Sequence, residues 1–223
     1  FVTDNQDRDK LLYTGTMYGL LHAFSSEDNT DDGYIGGEEV FAFIPSGLLK
    51  YLYMLYEGTQ IYGADGLPVI TDLYFKGDPT DGSTADEAWK TTLIAGVGGG
   101  GTVVYALDIT DVDASSAGAN AVNLWNFRHP KLGFTWSTPV SAPIWIEVGG
   151  DEIMKPATFF AGGKSDKVNV GGEFFILDTE TGTTLKTFIL PDKDQVDPNS
   201  IGYGNTGVTY SGTDNYNEGP SSA

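Results

Sequence analysis

WKTTLIAGVGGGGTVVYALD, Trp89 to Asp108, determines how the whole chain is to be read. It holds two apolar runs, Thr91 to Ala95 and Thr102 to Leu107, each of strand length and rich in Val, Ile, Thr and Tyr. β-Branched and aromatic residues favour the pleated surface of a sheet, and a run of glycines is too flexible for helix. The pair therefore reads as a tight hairpin. Gly98 to Gly101 suit a place where backbone approaches backbone closely or takes a positive φ, as at the crowded inner rim of a propeller or barrel. The run also satisfies G-x-G-x-x-G through Gly96, Gly98 and Gly101. That pattern holds a dinucleotide only between a strand and a helix whose N-terminus faces the pyrophosphate. Here the glycines lead into a second strand, so the nucleotide reading is rejected.

Composition agrees with a β protein. Of 223 residues, 30 are glycine, 13% are aromatic and 40% are hydrophobic, the balance of a globular, turn-rich chain. Lys and Arg number 12 against 31 Asp and Glu, a formal charge of −19. Such a surface repels phosphate backbones and anionic membranes, so nucleic acid is set aside as a partner and divalent cations are favoured. The absence of cysteine excludes disulfides, thiolate metal sites and Cys nucleophiles. No apolar run is long enough to span a bilayer. The chain begins at Phe1 without Met or a signal-peptide pattern, and the expectation is a processed product or a piece of a longer protein.

The hairpin layout recurs. Gly19 to Ile44, Thr102 to Phe127 and Gly172 to Leu190 each carry a strand, a turn and a returning strand with alternating apolar residues. In the last, Asp178, Thr181 and Gly182 form a compact reverse turn, Asp accepting backbone N–H bonds and Gly taking the left-handed position. Further strands precede each hairpin: Lys10 to Thr14, Val69 to Phe75 with Thr91 to Ala95, and Val140 to Glu147 with Ala157 to Ala161. Short antiparallel strands repeated in this way describe propeller blades. The fold expected is all-β, a partial quinoprotein-like β-propeller of three to four blades, with blade segments 9–45, 66–127 and 139–190 inside a region 1–190. Residues 46–58, SGLLKYLYMLYEG, read as one short helix capped by Ser46 and ended by Gly58. A membrane-binding role for that helix is disfavoured, because it carries one Lys and one Glu rather than a basic face. Residues 191–223 form an irregular polar tail, in which 207–211 is a candidate strand to complete the first blade. Other chain segments or subunits are the alternative source of the missing blades.

The stretches DKLLYTGTMYGLLHAF (Asp9 to Phe24), EEVFAFIPSGLL (Glu38 to Leu49), the Trp89 to Thr110 hairpin and LGFTWSTPV (Leu132 to Val140) resemble the blades of the PilY family in wording, order and spacing. These are type IV pilus-associated tip adhesins whose C-terminal domain is a modified, quinoprotein-like propeller. The resemblance implies a non-enzymatic, calcium-modulated role in pilus biogenesis and surface attachment. It also implies a bacterial, extracellular or cell-surface location at the pilus tip, with minor pilins or a host or abiotic surface as partners.

Among candidate sites, Asp28 to Glu39 has the spacing of a calcium-binding loop. Asp28, Thr30 and Asp32 supply oxygens at alternate positions, Gly33 permits the sharp turn, Tyr34 and Gly36 come next, and Glu39 closes the set. Calcium needs several oxygens wrapped around one point, which this spacing provides; a solvated acidic hairpin tip is the plainer reading. The family's own calcium stretch, shortly before a Y-x-G-D strand, has no good copy here, and Asp4 to Asp9 before Tyr13 is its nearest echo. Asp192, Asp194 and Asp197 read as a turn. His22 and His129 are expected beside aromatics, and Trp89, Trp125, Trp136 and Trp145 in blade packing. No nucleophile elbow, phosphate loop or H-E-x-x-H motif is present, so no catalytic residue is assigned. The alternatives are a quinoprotein-type dehydrogenase, which needs a full ring and cationic groups around its quinone, and a structural subunit of an extracellular filament joined through strand edges.

Overall fold

The computed structural model describes residues 10–28, 35–77, 87–112, 121–148, 150–165, 167 and 170–189. Among them, strands form three antiparallel sheets, each a meander in which neighbours in the chain are neighbours in the sheet. The first holds β1 (Leu11–Gly15), β2 (Leu21–Ser25) and β3 (Glu39–Phe43). The second holds β4 (Val69–Phe75), β5 (Ala88–Gly96), β6 (Val104–Asp108) and β7 (Val122–Phe127). The third holds β8 (Val140–Val148), β9 (Asp151–Ala161), β10 (Glu173–Asp178) and β11 (Thr184–Ile189). This is the blade-by-blade, all-β architecture expected from the repeated hairpins. The strand expected at 207–211 lies outside the described residues.

The middle sheet explains why its sequence reads as unbroken apolar runs. Leu93 and Ala95 of β5, Tyr105 and Leu107 of β6, and Val97 and Val103 of the turn between them join a core with Leu21 and Leu48 from the first sheet and its exit. The intervening Ile94, Val104 and Ala106 join a second core with Trp125, Phe127, Phe160, Phe175 and Leu177. With both faces covered, neither set of alternate positions needs to be polar. Full burial of each large side chain contributes about 2 kcal/mol, so these two seams are where the sheets are held together. In the second seam the ring of Phe127 lies 5.2 Å from that of Phe175 and 5.6 Å from that of Phe160, both edge-on.

The glycine run turns tightly at the edge of the middle sheet. Gly98 takes φ 55°, and a Cβ on Gly100 would fall 1.8 Å from the carbonyl oxygen of Gly63. The turn is tied to the next linker: Val97 N–H donates to Thr135 Oγ1 at 2.8 Å, and Thr135 Oγ1 donates to the Val103 carbonyl at 3.1 Å. A strand, β6, succeeds the glycines, as the hairpin reading requires.

Three details differ from expectation. Within 46–58 the helix is shorter than expected, a 3-10 turn, Leu49–Tyr51, running into α1 (Leu52–Tyr56). Ser46 does not cap it; its backbone N–H donates to the Asn126 side chain at 3.1 Å, while Gly58 does end it at φ 76°. Strand β9 begins at Asp151, six residues before the expected Ala157. Of the four tryptophans only Trp125 is buried, at 7% exposure; Trp89, Trp136 and Trp145 are 44 to 68% open, although Trp89 still packs edge-on against Tyr74 of the paired strand at 5.6 Å.

Candidate functional site

The acidic hairpin tip between β2 and β3 is the candidate metal site. Thr30, Asp32 and Tyr34 lie outside the described residues. Asp28, Gly36 and Glu39 are described. Asp28 Oδ1 accepts the Gly36 N–H at 2.7 Å, so the start and the far side of the loop are drawn together. Beneath them the hairpin is closed by Gly37 N–H to the Ser25 carbonyl at 2.8 Å and Ser25 N–H to the Glu38 carbonyl at 2.9 Å. Glu38 Oε2 accepts from Ile35 N–H at 3.4 Å. Glu39 stands in register with Phe24, where the ladder shifts, and its Oε1 lies 3.5 Å from His22 Nδ1. That separation places charge near the ring without a hydrogen bond, and among the described residues His22 Nδ1 has no hydrogen-bond partner. Among the described residues no three acidic or histidine side chains converge in metal-binding geometry. As to fit, the second oxygen of Asp28 and the Glu39 carboxylate are not committed to hydrogen bonds with described groups, and both are oxygen donors of the kind calcium takes.

The histidines sit beside aromatic rings, as expected: His22 stacks on Phe24 at 5.8 Å, and His129 on Phe127 at 6.2 Å. The reverse turn after β10 also forms as read. Asp178 Oδ1 accepts the N–H groups of Glu180 at 2.8 Å and Thr181 at 3.3 Å, and Gly182 takes φ 72°. Against that turn lies Trp125 of the preceding sheet, its indole N–H donating to the Thr179 carbonyl at 2.8 Å.

Sequence reasoning missed the cations beneath these turns. Lys155 Nζ lies 2.8 Å from Asp178 and 3.4 Å from Glu180, all three nearly closed to solvent. The middle sheet repeats the pair with Lys90 Nζ 3.0 Å from Asp108. In both sheets the lysine stands two residues before the residue that pairs with the aspartate, Thr92 with Asp108 and Ala157 with Asp178. A lysine at that offset inside an otherwise apolar strand was the available signal. Burial works against the Lys155 ammonium, but the hydrogen bond and charge of Asp178, with Glu180, outweigh it and raise its pKa. Burial raises the Glu180 carboxyl, the Lys76 N–H and Lys155 only partly offsetting it. These groups tie turns to strands and are structural.

Residues 1–133 match the family model described as the PilY1 beta-propeller domain. The chain belongs to the PilY1 β-propeller family. The type IV pilus biogenesis factor PilY1 of Pseudomonas aeruginosa (strain PAO1) is 30% identical over 199 residues, covering 83% of this chain and 14% of that protein. A PilY1 homolog of Xylella fastidiosa (strain Temecula1) is 27% identical over 209 residues, covering 88% of this chain and 12% of that protein. The crystal structure of the P. aeruginosa PilY1 C-terminal domain matches with a TM-score of 0.54 at 26% identity, over 85% of this chain and 32% of that one. This PilY1-type chain therefore spans 14% or less of the length of those two curated relatives. Both relatives are named as pilus biogenesis factors and not as enzymes.

Proposed function

We propose that this chain is the blade-bearing part of a bacterial type IV pilus biogenesis factor, acting at the cell surface or pilus tip as a non-enzymatic scaffold that holds pilus subunits or an external surface. The observation that supports this most is the membership of the PilY1 propeller family over more than half the chain, together with a structural likeness to a PilY1 C-terminal domain. Three sheets locked through two apolar seams make a rigid platform with loops at its ends, a design for holding. The test is deletion of residues 10–189 from the encoding gene in its own bacterium. Loss of surface pili and attachment is expected; normal piliation and attachment in the deletion strain overturns the reading.

Calcium modulation belongs to the same proposal. Asp28 and Glu39, with Thr30, Asp32, Tyr34 and Gly36, would hold Ca²⁺, which would order the tip between β2 and β3. For a dissociation constant of about 0.1 mM at about 1 mM calcium, linkage gives about 1.4 kcal/mol, enough to set a loop and too little to carry the fold. Calcium should raise the thermal midpoint of the wild-type chain, and Asp28→Asn with Asp32→Asn should abolish the rise. An equal rise in the double variant removes this loop as the site.

A further inference from the structure

The chain carries 31 acidic residues and only 12 Lys and Arg, yet four of those cations line one pocket of about 630 Å³: Lys50, Arg128, Lys164 and Lys167. No Asp or Glu is among the described residues lining it. Glu173, 3.7 Å from His129 Nδ1, is not in the lining, and Asp166, between two of the lysines in sequence, lies outside the described residues. The four cations come from three separate segments: the 3-10 turn after the first sheet, the exit of β7, and the loop between β9 and β10. Convergence from such distant positions is a property of the fold and not of one basic run.

The wall is held by backbone bonds. Gly133 N–H donates to the Gly162 carbonyl at 2.7 Å, Phe134 N–H to the Lys164 carbonyl at 2.6 Å, and Gly171 N–H to the Lys131 carbonyl at 2.8 Å. On the other side, Thr135 N–H donates to the Gly101 carbonyl at 3.2 Å. Lys50 Nζ lies 4.6 Å over the Tyr51 ring, and among the described residues no carboxylate pairs with Lys50, Arg128 or Lys167. His129 Nδ1 accepts the Lys131 N–H at 3.2 Å, which leaves Nε2 as the donor of the neutral ring. Tyr51, Phe134 and Leu132 add apolar surface. A pocket of this size suits a group of small-molecule dimensions, and cations with an aromatic wall suit anionic oxygens attached to a carbon body.

We propose that this pocket binds an oligocarboxylate, supplied either as a free small polycarboxylate or as the acidic side chains of an extended peptide. The surrounding negative field does not forbid it, because charges more than about 8 Å away are largely screened at physiological salt and the local cations dominate. The site is independent of the pilus reading, and its test does not involve pili.

That test is calorimetric titration of the full chain with citrate and with triglutamate at physiological ionic strength, trilysine serving as the opposite-charge control. Binding of either carboxylate, weakening with added salt, is expected. Lys50→Gln with Arg128→Gln should weaken it by about tenfold or more, while Lys10→Gln with Lys186→Gln, the same change in net charge away from the pocket, should leave it unchanged. Tighter binding of triglutamate assigns the carboxylates to a polypeptide; tighter binding of citrate assigns them to a free ligand. Failure of both to bind, or equal weakening by the two double variants, overturns the proposal.

Discussion

Gly100 and Gly150 separate two reasons for glycine. A Cβ on Gly100 meets the Gly63 carbonyl oxygen, whereas Gly150 has φ 96° and open space around it. Gly100→Ala should therefore cost about 2–3 kcal/mol through overpacking, and Gly150→Ala about 1 kcal/mol through the left-handed backbone alone. Urea unfolding of the two variants checks the order; equal losses contradict the close approach. Lys155 is the second residue-scale case. Lys155→Met leaves Asp178 and Glu180 facing each other, buried and uncompensated, at a cost of about 3–5 kcal/mol near neutral pH. Glu180 already has a raised pKa, and an acid raised in the folded state lowers stability once pH exceeds its ordinary range. The loss in Lys155→Met should therefore shrink as pH falls and Glu180 takes up a proton. A loss independent of pH contradicts this. Asp108 has the opposite sign. Burial pushes its carboxyl up, but the Thr110 hydroxyl and N–H with Lys90 outweigh burial and hold it low. Its contribution is present above the ordinary Asp range and disappears as pH falls through the lowered value.

Among the elements, the short helix shows what periodicity conveyed and what it did not. Leu48, Leu49, Leu52 and Leu55 recur at helical spacing, yet only Leu48 is buried, at 1% exposure, and it precedes the helix proper. The leucine spacing located the turn but carried no sign of which leucine would be covered, because the cover comes from the distant Gly19 and Val97–Val103 region. Leu48→Ala should cost about 3 kcal/mol and Leu52→Ala, 43% exposed, less than about 1 kcal/mol, read by thermal unfolding. A larger loss at Leu52 contradicts the packing. The early start of β9 was hidden by Pro156, which punctuates a strand in sequence. In the fold Pro156 lies one residue beyond the last pairing of β9 with β10, Ala157 with Asp178, and faces Pro143 of the edge strand β8. Proline costs least where no neighbouring strand needs its N–H.

Over the whole molecule, the blades were legible because each closes within a short span of chain. Alternation, the glycine run and the Asp178 to Gly182 turn are local signals, and the middle sheet's two-sided burial agrees with unbroken apolar runs such as Val103 to Leu107. Asp28 and Gly36 were readable as loop partners for the same reason. The basic pocket was not, because Lys50, Arg128 and Lys164 meet only after three sheets have stacked. Both the platform and the pocket thus depend on stacking. It is tested most directly by nuclear Overhauser contacts in the full chain with labelled aromatic residues. Cross-peaks are predicted between Phe43 and Tyr105, whose rings lie 5.5 Å apart across the first seam, and between Phe127 and Phe175, 5.2 Å apart across the second. Cross-strand contacts within each hairpin, without either of these two, would contradict it.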